Sequence, residues 1–280
     1  GMPLQKNALQ LVGQYASNGR EAVNMVQIAA SVAKGSYQNT ISSSTMEWVI
    51  NCGQYSPRPN KKIPKQPAVG MVNGLAVIGP SQGALLELEV SSKKTEKGLG
   101  KLIVTGIIEQ EETNTGQGRT MTRQSMVKSS IENVLTVLKK NFAIDTDSYF
   151  IHVNFPGSMM VDGPSAGIAI AVAIYSAIHN IEVNNEIAFS GEVSIHGEVK
   201  PVGGILAKVE AARLAGAKKV IIPAENDLAL FHRFTDCQII PVCRLEEVFQ
   251  EAFLQTVENT KNGSFLFPFT KDLSGNGLSV

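Results

Sequence analysis

Apolar residues recur every three or four positions through residues 4–16 and 20–34, the spacing of a helix with one buried face. A third helical stretch, residues 46–55, follows Ser42-Ser43-Ser44-Thr45, whose hydroxyls suit a helix N-cap. Residues 3 to about 52 are therefore predicted to be all-helical. Pro57, Pro59, Pro64 and Pro67 then crowd the segment 57–67. Proline at that density fits neither a helix interior nor a central strand, so the segment reads as a linker.

Beyond the linker the period changes. Residues 69–79, 84–92 and 100–108 read as strands, and the polar, glycine-containing stretch from Glu109 to Arg123 as a mobile loop. A helix is predicted over 125–142, a strand over 149–155, and a long apolar helix opening at Asp162-Gly163-Pro164-Ser165-Ala166-Gly167. Strands over 186–194 and 198–204 flank a turn at Ile195-His196-Gly197. Helix 205–217, strand 218–223, helix 226–234, strand 238–243 and helix 245–253 complete the pattern. Strands and helices mix without strict alternation, which predicts an α+β fold rather than a doubly wound sheet. The expected units are a helical domain over 1–56, the linker 57–67, a main domain over 68–255 and a frayed tail over 256–280.

Composition narrows the function. With 43% hydrophobic and 18% charged residues the chain is globular, and its 25 basic and 25 acidic side chains cancel. That removes the broad positive footprint of a nucleic-acid binder. Cys52, Cys237 and Cys243 form no disulfide framework and no metal-binding pair, so a reducing, cytoplasmic setting is expected. No His/Cys/Asp cluster has ligand spacing, so no metal is expected. The longest apolar run, Ile168–Ile178, is too short to span a bilayer, and the first residues are too polar for a signal peptide. Gly1 ahead of Met2 reads as an expression remnant on a piece of a longer protein, in which an upstream membrane anchor would be out of view.

The chemistry centres on Ser165. Residues 163–167 fit G-x-S-x-G, but a nucleophile elbow follows directly on its strand, and here residues 156–163 intervene. Pro164 instead favours the first position of a helix, with Asp162 or Gly163 as N-cap. Ser165 is then expected in the first helical turn, beside free N–H groups that can hold an oxyanion. The same residues also serve simply to begin a helix. For a base, His152, His179, His196 and His232 each sit in a pattern that suits a structural role. Lys208 shares a helical stripe with Ile205 and Ala212, just after Gly203 and Gly204. Apolar surroundings and a positive helix end lower a lysine's pKa, and only such a lysine is neutral often enough to act as a base near pH 7. A lysine whose stem merely lies along apolar surface is the alternative.

These motifs resemble the proteolytic domain of Lon proteases, closer to the B type than the A type. The resemblance runs from about Val69 to Phe253 and is strongest from Asn154 to Asn226, through DGPSAG and the run from Ser190 to Asn226. It implies the Lon protease fold, a Ser165–Lys208 dyad and assembly as a homo-oligomeric six-membered ring acting on unfolded proteins. Where that family commonly carries Thr-Gly-Glu this chain has Ser190-Gly191-Glu192, and Ser190 is expected to orient Lys208. Met160-Val161 stands where a proline–lysine pair is frequent in the A type, which implies a different substrate groove. Asp162 resembles an acidic residue that lines the site and gates access to the lysine. The helical segment resembles the small lid of an AAA+ ATPase, with Arg20 matching the sensor-2 arginine. The chain carries no G-x-x-x-x-G-K-[ST] phosphate loop, so ATP and magnesium are expected only for a longer protein, and no cofactor for this chain. The rival readings are a Lon-like scaffold without peptidase activity, disfavoured by the presence of both Ser165 and Lys208, and a histidine-dependent esterase, disfavoured by Pro164.

Overall fold

The computed structural model describes residues 1–55, 57, 61–78, 82–106, 125–157 and 163–253, together with the backbone of 112–115 and 119–122. The expected tail over 256–280 lies outside these residues.

Three helices open the chain: α1 (Lys6–Tyr15), α2 (Gly19–Gly35) and α3 (Ser43–Cys52). Asn18 caps α2 by accepting the Glu21 N–H at 2.9 Å, and Ser42 caps α3 by accepting the Thr45 N–H at 3.2 Å. Their apolar stripes close on one another around Ala8, Val12, Met25, Ala29, Met46 and Val49. None of these residues belongs to either of the other two cores.

A seven-stranded mixed sheet follows, built from β1 (Met71–Ile78), β2 (Gln82–Lys94), β3 (Lys101–Gly106), β4 (Tyr149–Phe155), β5 (Ile187–Phe189), β6 (Lys219–Pro223) and β7 (Gln238–Val242). Its order is β7-β6-β5-β1-β2-β4-β3. β2 runs antiparallel to both neighbours, and every other pair in the sheet is parallel. Helices α4 (Met126–Asn141), α5 (Gly167–His179), α6 (Ile205–Ala215) and α7 (Leu245–Ala252) lie among the strands. The architecture is mixed α/β.

Side chains alternate across the sheet, so adjacent residues enter different cores. Leu86 and Leu88 join a core with α4, α5 and α7, while Leu85 joins one with α6. In β6, Ile221 enters the first core and Val220 and Ile222 the second. The sheet thus carries helices on both faces. α5 is buried along nearly its whole length, as its uniformly apolar sequence requires. α6 lies against β2 so closely that a Cβ on Gly83 would sit 1.9 Å from the Ala207 carbonyl oxygen; only glycine permits that approach.

Three expectations need correction. The stretch expected as a loop contains an antiparallel hairpin, Glu112–Thr115 with Arg119–Thr122. Its β-branched threonines favour strand despite their polarity. The single strand expected over 186–194 breaks after Phe189. Glu192–Val193 leaves the main sheet to pair with Val199–Lys200. The helix expected over 226–234 is absent, and 3-10 turns at Ala224–Asn226 and Phe231–Arg233 replace it. Asn226, at the start of that span, uses its side chain on Val202.

Candidate active site

Ser165 lies in a 3-10 turn, Pro164–Ala166, ahead of α5 rather than in the helix's own first turn as expected. Gly163 caps this turn with φ +140°, a backbone conformation that disfavours any side chain, and Pro164 occupies its first turn. The hydroxyl-bearing residue is half-buried, with access to solvent. Asp162, together with Met160 and Val161, lies outside the described residues.

The break after Phe189 explains how this turn is held. Ser190 donates its N–H to the Ile221 carbonyl of β6 at 3.1 Å, and Gly191 donates its N–H to the Ser165 carbonyl at 2.9 Å. Ile168 closes the loop by donating to the Gly191 carbonyl at 3.1 Å. The fully buried Ser190 directs its hydroxyl to the same Ser165 carbonyl at 3.5 Å. A Cβ on Gly167 would come within 2.8 Å of the Val193 backbone nitrogen, so a side chain there has no room beside the Ser190–Val193 segment. A strand that continued past Phe189 could not make these contacts.

Lys208 is the fourth residue of α6 and donates its N–H to the Gly204 carbonyl at 3.1 Å. Gly204 starts the helix from the left-handed region, at φ +65°. Only 3% of Lys208 is exposed, and Ile205, Val209 and Ala212 of the same helix lie in the α6-side core. Burial brings its pKa down from 10.5 to about 8. This is the chemistry of a lysine able to accept a proton near neutral pH.

Three of the four histidine rings have partners of their own. His152 Nε2 meets Thr105 Oγ1 at 2.9 Å, His179 stacks on Tyr175 with ring centroids 4.3 Å apart, and His232 pairs with Asp227 at 3.2 Å. The His196 carbonyl accepts from Asn141 and Arg244. Arg20, the second residue of α2, is exposed along an open groove of about 770 Å³ shared with Asn18, Asn24, Gln27 and Tyr55. Among the described residues no group of three or more His, Cys, Asp or Glu could hold a metal ion, and no helix is long and apolar enough to cross a membrane.

Asn226 escaped the sequence reading. Its side chain accepts the Val202 N–H at 2.7 Å and donates to the Val202 carbonyl at 3.1 Å, just before the Gly203-Gly204 start of α6.

A family model described as the Lon protease (S16) C-terminal proteolytic domain matches residues 40–255. The chain is 46% identical over 248 residues to "Lon protease 2" of Bacillus subtilis, covering 89% of this chain and 44% of that protein. It is 39% identical over 190 residues to "Archaeal Lon protease" of Archaeoglobus fulgidus, covering 65% and 28% respectively. The corresponding protein of Pyrococcus abyssi is 36% identical over 193 residues, 67% of this chain and 18% of that one. The chain thus spans less than half the length of these relatives.

Proposed function

The chain belongs to the Lon protease family through its C-terminal proteolytic domain and is a serine peptidase; on that premise we propose that Ser165 is its nucleophile and Lys208 its general base. The observation that carries this assignment is Lys208 itself, an amine sunk in an apolar core with a pKa near 8. A lysine whose stem merely lined an apolar surface would keep its ammonium in water.

In the proposed reaction Ser165 Oγ attacks the carbonyl carbon of an extended peptide while its proton passes to neutral Lys208 Nζ. The carbonyl π electrons move onto oxygen, where N–H groups around the 163–166 turn stabilise the anion. Collapse of the tetrahedral species breaks the C–N bond, and the lysine's proton goes to the departing amine. Water, deprotonated by Lys208, then cleaves the acyl-serine and restores Ser165. Ser190 fixes the peptide that carries Ser165; its further role in orienting Lys208 is taken from the family resemblance. Asp162 guards access to the lysine.

The wider assignment is drawn from the family. The substrates are unfolded proteins, the assembly is a hexameric ring, and the helical unit is an AAA+ lid whose Arg20 senses nucleotide in a longer ATP- and magnesium-dependent protein acting in the cytoplasm. The first test is cleavage of fluorescent casein by Ser165→Ala, Lys208→Gln and a variant lacking all four histidines. The first two should lose activity with an unchanged circular dichroism spectrum, and the third should keep a measurable rate. Substantial cleavage by a folded Lys208→Gln variant would remove the lysine from the mechanism.

A further inference from the structure

The two halves of the proposed dyad ride on elements that belong to different cores, so something must fix one against the other. β6 and its extension do this on both sides. On the α5 side, the Ile221 carbonyl takes the Ser190 N–H, and the next residue, Gly191, holds Ser165. On the α6 side, β6 ends at Pro223 and runs directly into the 3-10 turn Ala224–Asn226. There the Asn226 amide grips both backbone polar groups of Val202. Val202 packs against the α6-side core and leads straight into Gly203 and Gly204.

We infer that Asn226 is a positioning residue, clamping the turn that launches α6 and thereby setting the depth at which Lys208 is held. The inference rests on the reading of Lys208 as the base. Its physical ground is that α6 has no side-chain N-cap of its own. The left-handed Gly204 gives the helix start little conformational restraint, and a Cβ there would press to 2.5 Å from Val77 Cγ2. A paired donor and acceptor on one amide fixes the Val202 peptides as a neighbouring strand would. Charge does not supply the restraint: burial is the cause of the lysine's lowered pKa. The acidic neighbours of Asn226 face other partners, Glu225 acting on Lys200 and Asp227 pairing with His232. Glu192, across the small strand pair, also acts on Lys200. On α6 itself, Arg213 bonds Asp236.

The experiment compares Asn226→Ala and Asn226→Asp with the unaltered chain, with Lys208→Gln alongside, in three readouts. These are the pH–rate profile on an unfolded casein, the thermal midpoint, and amide hydrogen exchange at residues 205–208. In Asn226→Ala the turn loosens and water reaches the amine. We expect a fall in kcat of about ten-fold at pH 8, an upward shift of the rate midpoint by about one pH unit, and faster exchange at the start of α6. Asn226→Asp keeps an acceptor for the Val202 N–H but loses the donor to its carbonyl, so it should fall between the two. It also serves as the test if the alanine variant does not fold. A variant with a lower thermal midpoint but unchanged pH midpoint and unchanged exchange at 205–208 would overturn the inference, reducing Asn226 to general stability. If Lys208→Gln retains activity, the dyad reading fails and the catalytic part of the inference falls with it. The exchange result would still report whether the clamp exists.

Discussion

The peptide N–H of Gly191 donates to the carbonyl oxygen of Ser165 at 2.9 Å, so the segment that leaves the main sheet is bonded to the turn carrying the proposed nucleophile. Replacing nearby glycines probes this junction. A Cβ on Gly191 would meet only side-chain atoms, Val199 Cγ1 at 3.0 Å and Ile168 Cδ1 at 3.2 Å, which can shift slightly. A Cβ on Gly167 would meet the Val193 backbone nitrogen at 2.8 Å, which cannot shift without moving the segment. Alanine in a helix usually gains about 1 kcal/mol over glycine, but overpacking against fixed atoms costs about 1–3 kcal/mol. Gly167→Ala is therefore expected to be net destabilising in a urea melt and to lose more than ten-fold in kcat/KM, with Gly191→Ala milder in both. A stable, fully active Gly167→Ala variant would show that the junction tolerates displacement.

Lys208 gives a prediction in which stability and activity move in opposite directions. Its folded-state pKa, about 8, lies below the ordinary 10.5. Between those values the unfolded chain binds more protons than the folded one, so stability rises with pH from about 8 to about 10.5. Below pH 8 both states are protonated and the full cost of burying the charge is present. The difference of 10.5 − 8, or 2.5 units, corresponds to about 3 kcal/mol as an upper figure. Lys208→Met should accordingly raise stability at pH 7 by about 1–3 kcal/mol while abolishing peptidase activity, with the advantage shrinking toward pH 10.5. In the unaltered chain, the rate should climb with pH and level off above about 8, as the neutral amine becomes the dominant form. Denaturant titrations across pH 6–11 and a kcat profile check both halves. A Lys208→Met variant destabilised at neutral pH would show that the ammonium has good partners.

The two ends of the candidate site were legible in the sequence for different reasons. Pro164 and Gly163 are local signals, and both act locally in the structure, at the start of a 3-10 turn. The stripe of Lys208 with Ile205 and Ala212 needs only the helical period, but it left burial and a surface-lying stem both open until the structure buried the residue. What joins the ends was not legible. Residues 186–194 read as one strand, and Gly191 inside it draws no notice, although an isolated glycine in a strand pattern can mark a close backbone approach. Asn226 is simply the first residue of an expected helix until Val202, twenty-four residues earlier, is known to lie beside it. Tertiary hydrogen bonds of this kind leave no period. The threonine-rich hairpin was missed for the opposite reason, because its polarity outweighed its β-branching.

The helical unit offers a separate stability test. Met46 is fully buried among Ala8, Met25, Ala29 and Val49, in a core that shares no residue with the sheet's two cores. Met46→Ala removes a large buried side chain, a change that costs about 2–5 kcal/mol. The loss should appear as faster amide exchange confined to α1–α3, with casein cleavage by the rest of the chain retained. Equal acceleration of exchange in α5 and α6 would show that the units unfold together.

The final prediction concerns which proteins this chain can cut. Its 280 residues contain no phosphate loop, so nothing within them can turn nucleotide hydrolysis into mechanical work on a substrate. A folded substrate is stable by about 5–15 kcal/mol, and its backbone must open before it can reach a half-buried serine in a turn flanked by packed backbone. Disordered chains have already met that condition. Casein should therefore be cleaved slowly and at a rate indifferent to ATP, while a tightly folded reporter in the same tube survives. If a destabilised version of that reporter is supplied, its cleavage should track its unfolded fraction, because opening and reclosing are fast against slow cleavage. ATP-stimulated destruction of the stable reporter by this chain would contradict the prediction, since it would place an unfolding activity in residues that carry no phosphate loop.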